Sequence, residues 1–122
     1  DSSLHLLNAE TLKHCQRGPF MINVGRGSVV DEEAIADALE TGQLAGYAAD
    51  VFACEDWGLP GRPEKVSERL LNSANTLLTP HLGSAVQAVR IAIEHRAADN
   101  LIAVLQGGEP ADAINHPAHV MA

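Results

Sequence analysis

The run Phe20, Met21, Ile22, Asn23, Val24 is almost continuously apolar and leads straight into Gly25 and Gly27. A strand of that kind is the sort covered on both faces, as in a parallel sheet, because a strand with one wet face alternates apolar with polar residues. Two further extended runs follow. Residues 45–51 are small and apolar and contain Asp50, and residues 75–79 lead to Pro80 and His81. Helical patterns separate them. Asp31, Glu32 and Glu33 form an acidic first turn, Ile35, Ala38 and Leu39 give a core stripe, and Gly42 stands where a helix C-terminus needs a left-handed residue. A weaker helix is expected over 67–71. Strand, helix, strand, helix, strand predicts an α/β fold built on a doubly wound parallel sheet.

The flanks are read in the same way. Asn8 caps a short helix containing Leu12, with Leu7 as a staple, and Arg17, Gly18 and Pro19 end it. Ser84 and Gln87 have the spacing of a capping box for a long helix running to about Leu105. Val86, Val89, Ile93, Ala97 and Leu101 share one of its faces, and Gly107 and Gly108 stop it. The tail through Pro110, Pro117 and Met121 reads as loop or a short extended return. Residues 1–83 and 84–122 are the expected divisions. With 122 residues the chain can bury one modest core, and its start at Asp1, close to the first strong strand, predicts a piece of a longer protein.

Sixteen acids against eight Lys and Arg give a formal charge of -8, which argues against nucleic acid or an anionic membrane as partner. Any anion then needs a local cationic pocket. Cys15 and Cys54 have neither zinc-ligand spacing nor a disulfide pattern, so no metal is expected and a reducing cytoplasm fits. No apolar run approaches the roughly 18 residues of a spanning helix.

Ligands of open parallel sheets sit beyond the carboxyl ends of the strands. That rule gathers Arg26 after the first strand, Asp50 and Glu55 after the second, and His81 after the third. Each has a bland reading beside the functional one. Arg26 is a solvated turn residue or a bidentate anion clamp. Glu55 is a surface charge or the partner that fixes which ring nitrogen of His81 carries the proton. Asp50 caps a turn or accepts a hydrogen bond from a carboxamide, and His81 is a strand-end histidine or an acid/base group. Arg90 pairs with Glu94 on an exposed helix face or adds a second positive charge. Trp57 reads as a hydrophobic plug in an irregular loop over 52–64, or as a cover that excludes water. His5, His14, His95, His116 and His119 lack convergent spacing. Gly25 and Gly27 do not make a dinucleotide fingerprint, because Val30 occupies the third glycine position and the acids after it would repel a pyrophosphate.

Three strings, residues 23–32, residues 46–52 with Glu55, and residues 79–83, together resemble the C-terminal part of the D-isomer-specific 2-hydroxyacid dehydrogenases, and the likeness covers nearly the whole chain. The resemblance implies the C-terminal portion of a Rossmann-like domain, with a long helix returning towards a substrate domain, in a homodimeric enzyme. It gives Arg26 the substrate anion, Glu55 the orientation of the histidine, and His81 the acid/base role. It also implies NAD as cofactor, its nicotinamide end bordered by Val24, Gly25, Arg26, Asp50, His81, Leu82, Gly83 and Ser84. Glu55, Asp56 and Trp57, and the string from Gly83 to Arg90, are similar to the phosphonate (phosphite) dehydrogenase subgroup, which implies phosphite as substrate and Arg90 as a second substrate-pocket arginine. A small 2-hydroxy acid is the alternative substrate, and an NAD-sensing corepressor the alternative of another class. The sequence departs from the family pattern at its front: the Gly-rich pyrophosphate loop, the ribose-binding acid and the substrate-domain lysine are absent from these residues, so this segment alone is expected to be inactive.

Overall fold

The computed structural model describes residues 3–16 and 18–115. Arg17 and the final stretch from His116, with Pro117, His119 and Met121, lie outside the described residues. Two compact units make up the chain, Asp1–Gly83 and Ser84–Ala122.

In the first unit, helix α1 (Ala9–Leu12) is capped by Asn8, whose side chain accepts the amides of Glu10 and Thr11 while Thr11 Oγ1 accepts the Asn8 amide. Three strands, β1 (Phe20–Asn23), β2 (Gly46–Ala49) and β3 (Thr76–Leu78), form a parallel sheet in that order. Helix α2 (Glu32–Glu40) joins β1 to β2. Asp31 caps it by accepting the amides of Glu33 and Ala34, and Gly42 leaves it at φ +71°. The short helix α3 (Glu68–Leu71) precedes β3. Val30, Ile35, Leu44 and Leu70 are fully buried, each worth about 1.5–3 kcal/mol of transfer free energy. Arg69 of α3 pairs with Glu33, Asp37 and Glu40 of α2, tying the two helices together at the surface.

The expected double covering of β1 is not what this unit builds by itself. Met21 and Asn23 turn towards the core, whereas Phe20, Ile22 and Val24 are exposed. Across the sheet Ile22 pairs with Ala48 and Ala48 with Leu77, so one face of the sheet is open along that row. The core holds α1, α2 and α3 residues with Tyr47 and Ala49, which leaves no helix of this unit for the other face.

In the second unit, α4 (Gln87–Leu105) ends at the expected residue, with Gly107 following at φ +77°. It starts late. The expected capping box at Ser84 does not form: Val86 occupies the N-cap position in extended conformation without a side-chain bond, and the Ser84 carbonyl is taken by Arg90 Nε at 2.9 Å. No residue of α4 is buried, so its apolar face is exposed rather than part of a core. Asp112 folds back onto this helix through both nitrogens it accepts from Arg96 and the amide of Asn100. No described helix is long and apolar enough to cross a membrane.

Candidate active site

The carboxyl ends of the three strands carry the chemistry. At the end of β1, Asn23 is buried and organises the next turn. Its Oδ1 accepts the Gly25 amide at 3.1 Å, and its Nδ2 donates to the Arg26 carbonyl at 3.0 Å. Such an Asx turn fixes the backbone of Arg26 without engaging its charge. The guanidinium itself is exposed; Nη1 donates to the Gly25 carbonyl at 3.1 Å, and it makes no ion pair among the described residues.

A 3-10 turn, Gly27–Val29, follows. Gly27 is there for packing rather than for phosphate: a Cβ at this position would lie 1.9 Å from the Phe52 carbonyl carbon. The loop after β2 thus presses directly on the turn after β1. Glu32, in the first turn of α2, accepts the Ala53 amide at 2.9 Å, and Asp56 accepts the Ser28 amide at 2.8 Å.

Those contacts hold a second 3-10 turn, Ala53–Glu55. Glu55 Oε1 accepts the Phe52 amide at 2.9 Å, which leaves Oε2 facing His81 Nδ1 at 2.6 Å. The histidine gets there by an unusual backbone. His81 has φ +57°, a left-handed conformation that costs a non-glycine residue roughly 1–2 kcal/mol. Asp50 offsets it. One carboxylate oxygen accepts the Thr79 hydroxyl at 2.5 Å and the Leu82 amide at 2.7 Å, while the other accepts the Gly83 amide at 2.8 Å. The Thr79 hydroxyl bond, then the Leu82 amide, hold the Asp50 carboxyl below the usual carboxylate range. Asp50 therefore caps the turn. Three of its roughly four lone-pair sites are used, so one remains for an outside donor.

Arg26, Gly27, Val51, Phe52, Glu55, Asp56 and His81 line one cleft of about 280 Å³. The guanidinium, carboxylate and imidazole expected from the strand ends are thus in one place. A larger hollow, about 510 Å³, lies between α2 and α3, but its Arg69 is already paired with three carboxylates. Val24, Gly25, Leu82 and Gly83 are exposed beside the strand ends. Ser84 and Arg90 belong to the second unit, and the expected Arg90–Glu94 pair is absent among the described residues.

Two expectations need correcting. Trp57 is no plug: it is 84% exposed, with the Arg62 guanidinium 4.1 Å from its ring centroid, because Val51, Phe52 and Ala53 make the loop's core contacts instead. Glu32, read as a repelling charge, is a buried acceptor for the Ala53 amide. Sequence reasoning also missed Asn23, Thr79 and Asp56 as organisers of the rim. An Asn two residues before a glycine was the available signal for the first; nothing local announces the others, whose partners lie 28 or 29 positions away.

The description "D-isomer specific 2-hydroxyacid dehydrogenase, NAD binding domain" matches residues 1–83. A glyoxylate/hydroxypyruvate reductase B of Erwinia tasmaniensis is 40% identical over 111 residues, covering 91% of this chain and 32% of that protein. A D-3-phosphoglycerate dehydrogenase of Synechocystis is 37% identical over 113 residues, 93% of this chain and 19% of that one. Among solved structures, an NADPH-dependent glyoxylate/hydroxypyruvate reductase from Sinorhizobium meliloti, in complex with NADP and malonate, superposes with a TM-score of 0.72 at 38% identity, over 90% of this chain and 32% of that one. The chain spans no more than about a third of these relatives. With its parallel sheet and the match across residues 1–83, the chain belongs to the D-isomer specific 2-hydroxyacid dehydrogenase family, in the part that forms the NAD-binding domain.

Proposed function

We propose that the protein containing this chain is an NAD-dependent dehydrogenase of a small anion, and that its substrate is phosphite, oxidised to phosphate. The observation that carries the dehydrogenase reading is the 2.6 Å approach of Glu55 Oε2 to His81 Nδ1 in the cleft that Arg26 also lines. Glu55 accepts the Nδ1 proton and so leaves Nε2 as the base. When bound, NAD supplies the hydride acceptor. The residues suit its nicotinamide end: Asp50 keeps one lone-pair site for a carboxamide donor, and Val24, Gly25, Arg26, His81, Leu82, Gly83 and Ser84 are assigned to border it.

For phosphite, the P–H bond breaks with both electrons leaving as hydride, a P–O bond forms to water, and the water proton passes to His81 Nε2. Phosphite, water and oxidised cofactor give phosphate, reduced cofactor and one proton. Arg26 holds the oxyanion with two parallel N–H donors, and Arg90 is assigned the second positive charge, which a dianion uses better than a monoanion. The likeness of Glu55, Asp56, Trp57 and of the string from Gly83 to Arg90 to phosphite dehydrogenases supports this choice. A second reading is favoured by the relatives at 37–40% identity, which are named for glyoxylate, hydroxypyruvate and phosphoglycerate. There His81 takes the hydroxyl proton of a 2-hydroxy acid while the hydride leaves its carbon. A homodimeric, cytoplasmic enzyme completes the reading, in keeping with the free thiols Cys15 and Cys54.

The test is reduced-cofactor formation by the full-length protein with phosphite and with a panel of 2-hydroxy acids. Turnover of phosphite alone supports the first reading, and turnover of hydroxy acids alone replaces it with the second. Tight NAD binding without turnover of either points to a cofactor-sensing corepressor and removes the enzymatic reading.

A further inference from the structure

Two turns from different parts of the chain meet at the cleft. One carries Arg26 and the other Glu55, and their backbones touch where Gly27 abuts Phe52. Backbone contact alone sets how near the turns come, but it does not set their relative slide. A directional bond is needed for that. Asp56 provides one: it follows Glu55 directly, and its Oδ2 accepts the Ser28 amide, two residues beyond Arg26, at 2.8 Å.

We propose that Asp56 is a positioning residue, which registers the anion-binding turn of Arg26 against the proton-transfer turn of Glu55 and His81 through its bond to the Ser28 amide. This rests on the dehydrogenase reading above for its kinetic consequence, though not for the bond itself. Asp56 is one of the residues that line the same cleft. Hydrogen bonding from Ser28, with a smaller contribution from the Arg26 charge, keeps its carboxyl below the ordinary value of 3.8. Glu32 steadies the same loop from the far side through the Ala53 amide, so loss of Asp56 loosens the register without unfolding the loop.

The experiment compares Asp56→Ala and Asp56→Asn in the full-length protein, with phosphite and with glyoxylate as the probes. Asp56→Ala should raise KM for the substrate turned over about tenfold, the worth of one such bond, with kcat and the pH profile of kcat little changed. Asp56→Asn keeps an acceptor oxygen and should restore most of the lost KM. A lowered melting temperature with unchanged KM would make Asp56 merely structural, and an Asn variant as impaired as Ala would overturn the bond as the cause. If neither probe is turned over, the dehydrogenase reading fails separately, and amide hydrogen exchange at Ser28 and at Val29, which donates to the Arg26 carbonyl, decides the positioning claim. Faster exchange at both in Asp56→Ala upholds it; exchange as slow as in the parent defeats it.

Discussion

His81 and Arg26 each stand just past a strand of the same sheet, yet the fold treats them differently. The histidine is held at backbone and ring alike: its backbone is left-handed, the Asp50 carboxylate gathers the Thr79, Leu82 and Gly83 donors beside it, and Glu55 bonds its ring. Arg26 has a fixed backbone, through Asn23, and a guanidinium that, among the described residues, is bound only to its neighbour's carbonyl. Proton transfer tolerates little misplacement, whereas a charged fork on a mobile stem can close on an anion after it arrives. On the proposed reading, one arm is built before the substrate binds, and the other is completed by it.

That contrast can be broken by kinetics on the full-length protein. His81→Ala should lower kcat by roughly 10³-fold with a small effect on KM, since it removes the proposed base itself. Arg26→Ala should raise KM by roughly 10²-fold, because a charge-assisted clamp is lost in the ground state as well. Should Arg26→Ala instead cut kcat as deeply as His81→Ala at unchanged KM, the two arms are not different in kind. Glu55→Gln should act on kcat as His81→Ala does but more weakly, by about tenfold, because the ring loses its fixed tautomer.

Two smaller effects sharpen the same difference. The folded Asp50 carboxyl titrates below its ordinary value of 3.8, so its contribution is complete above the unfolded value and is lost as pH falls through the lowered folded one. Amide exchange at Leu82 and Gly83 should therefore quicken in strong acid below that value, and Asp50→Asn should abolish the dependence. An Arg26 segment that loosened over the same range would tie the arms more closely than the geometry implies. Asn23→Ala should cost about 1 kcal/mol in denaturant unfolding, the net worth of its turn bonds, and should free the Arg26 backbone without touching kcat.

Much of this was legible beforehand. Period and capping residues give α2 almost to the residue, since Asp31, the stripe of Ile35, Ala38 and Leu39, and Gly42 act within one short helix. The strand-end rule then selects Arg26, Glu55 and His81. Helix α4 shows where such reasoning stops. Its period and C-terminal glycine predict a helix ending at Leu105, but periodicity does not say what an apolar face packs against, and here none of the helix's residues is buried. The open row Ile22, Ala48, Leu77 repeats the lesson for a strand. Thr79 and Asp56 were hidden for another reason: their jobs are set by partners some thirty positions away, which leave no trace in local pattern.

At Gly27 the main chains of the two walls come so close that a side-chain carbon there would overlap the Phe52 carbonyl. The gauge of the active-site gap is accordingly written into the scaffold, out of reach of ordinary side-chain exchange. A cleft shaped for a bulkier ligand would have to be recut at Phe52 or Asp56, since any methyl at residue 27 would prise its two walls apart.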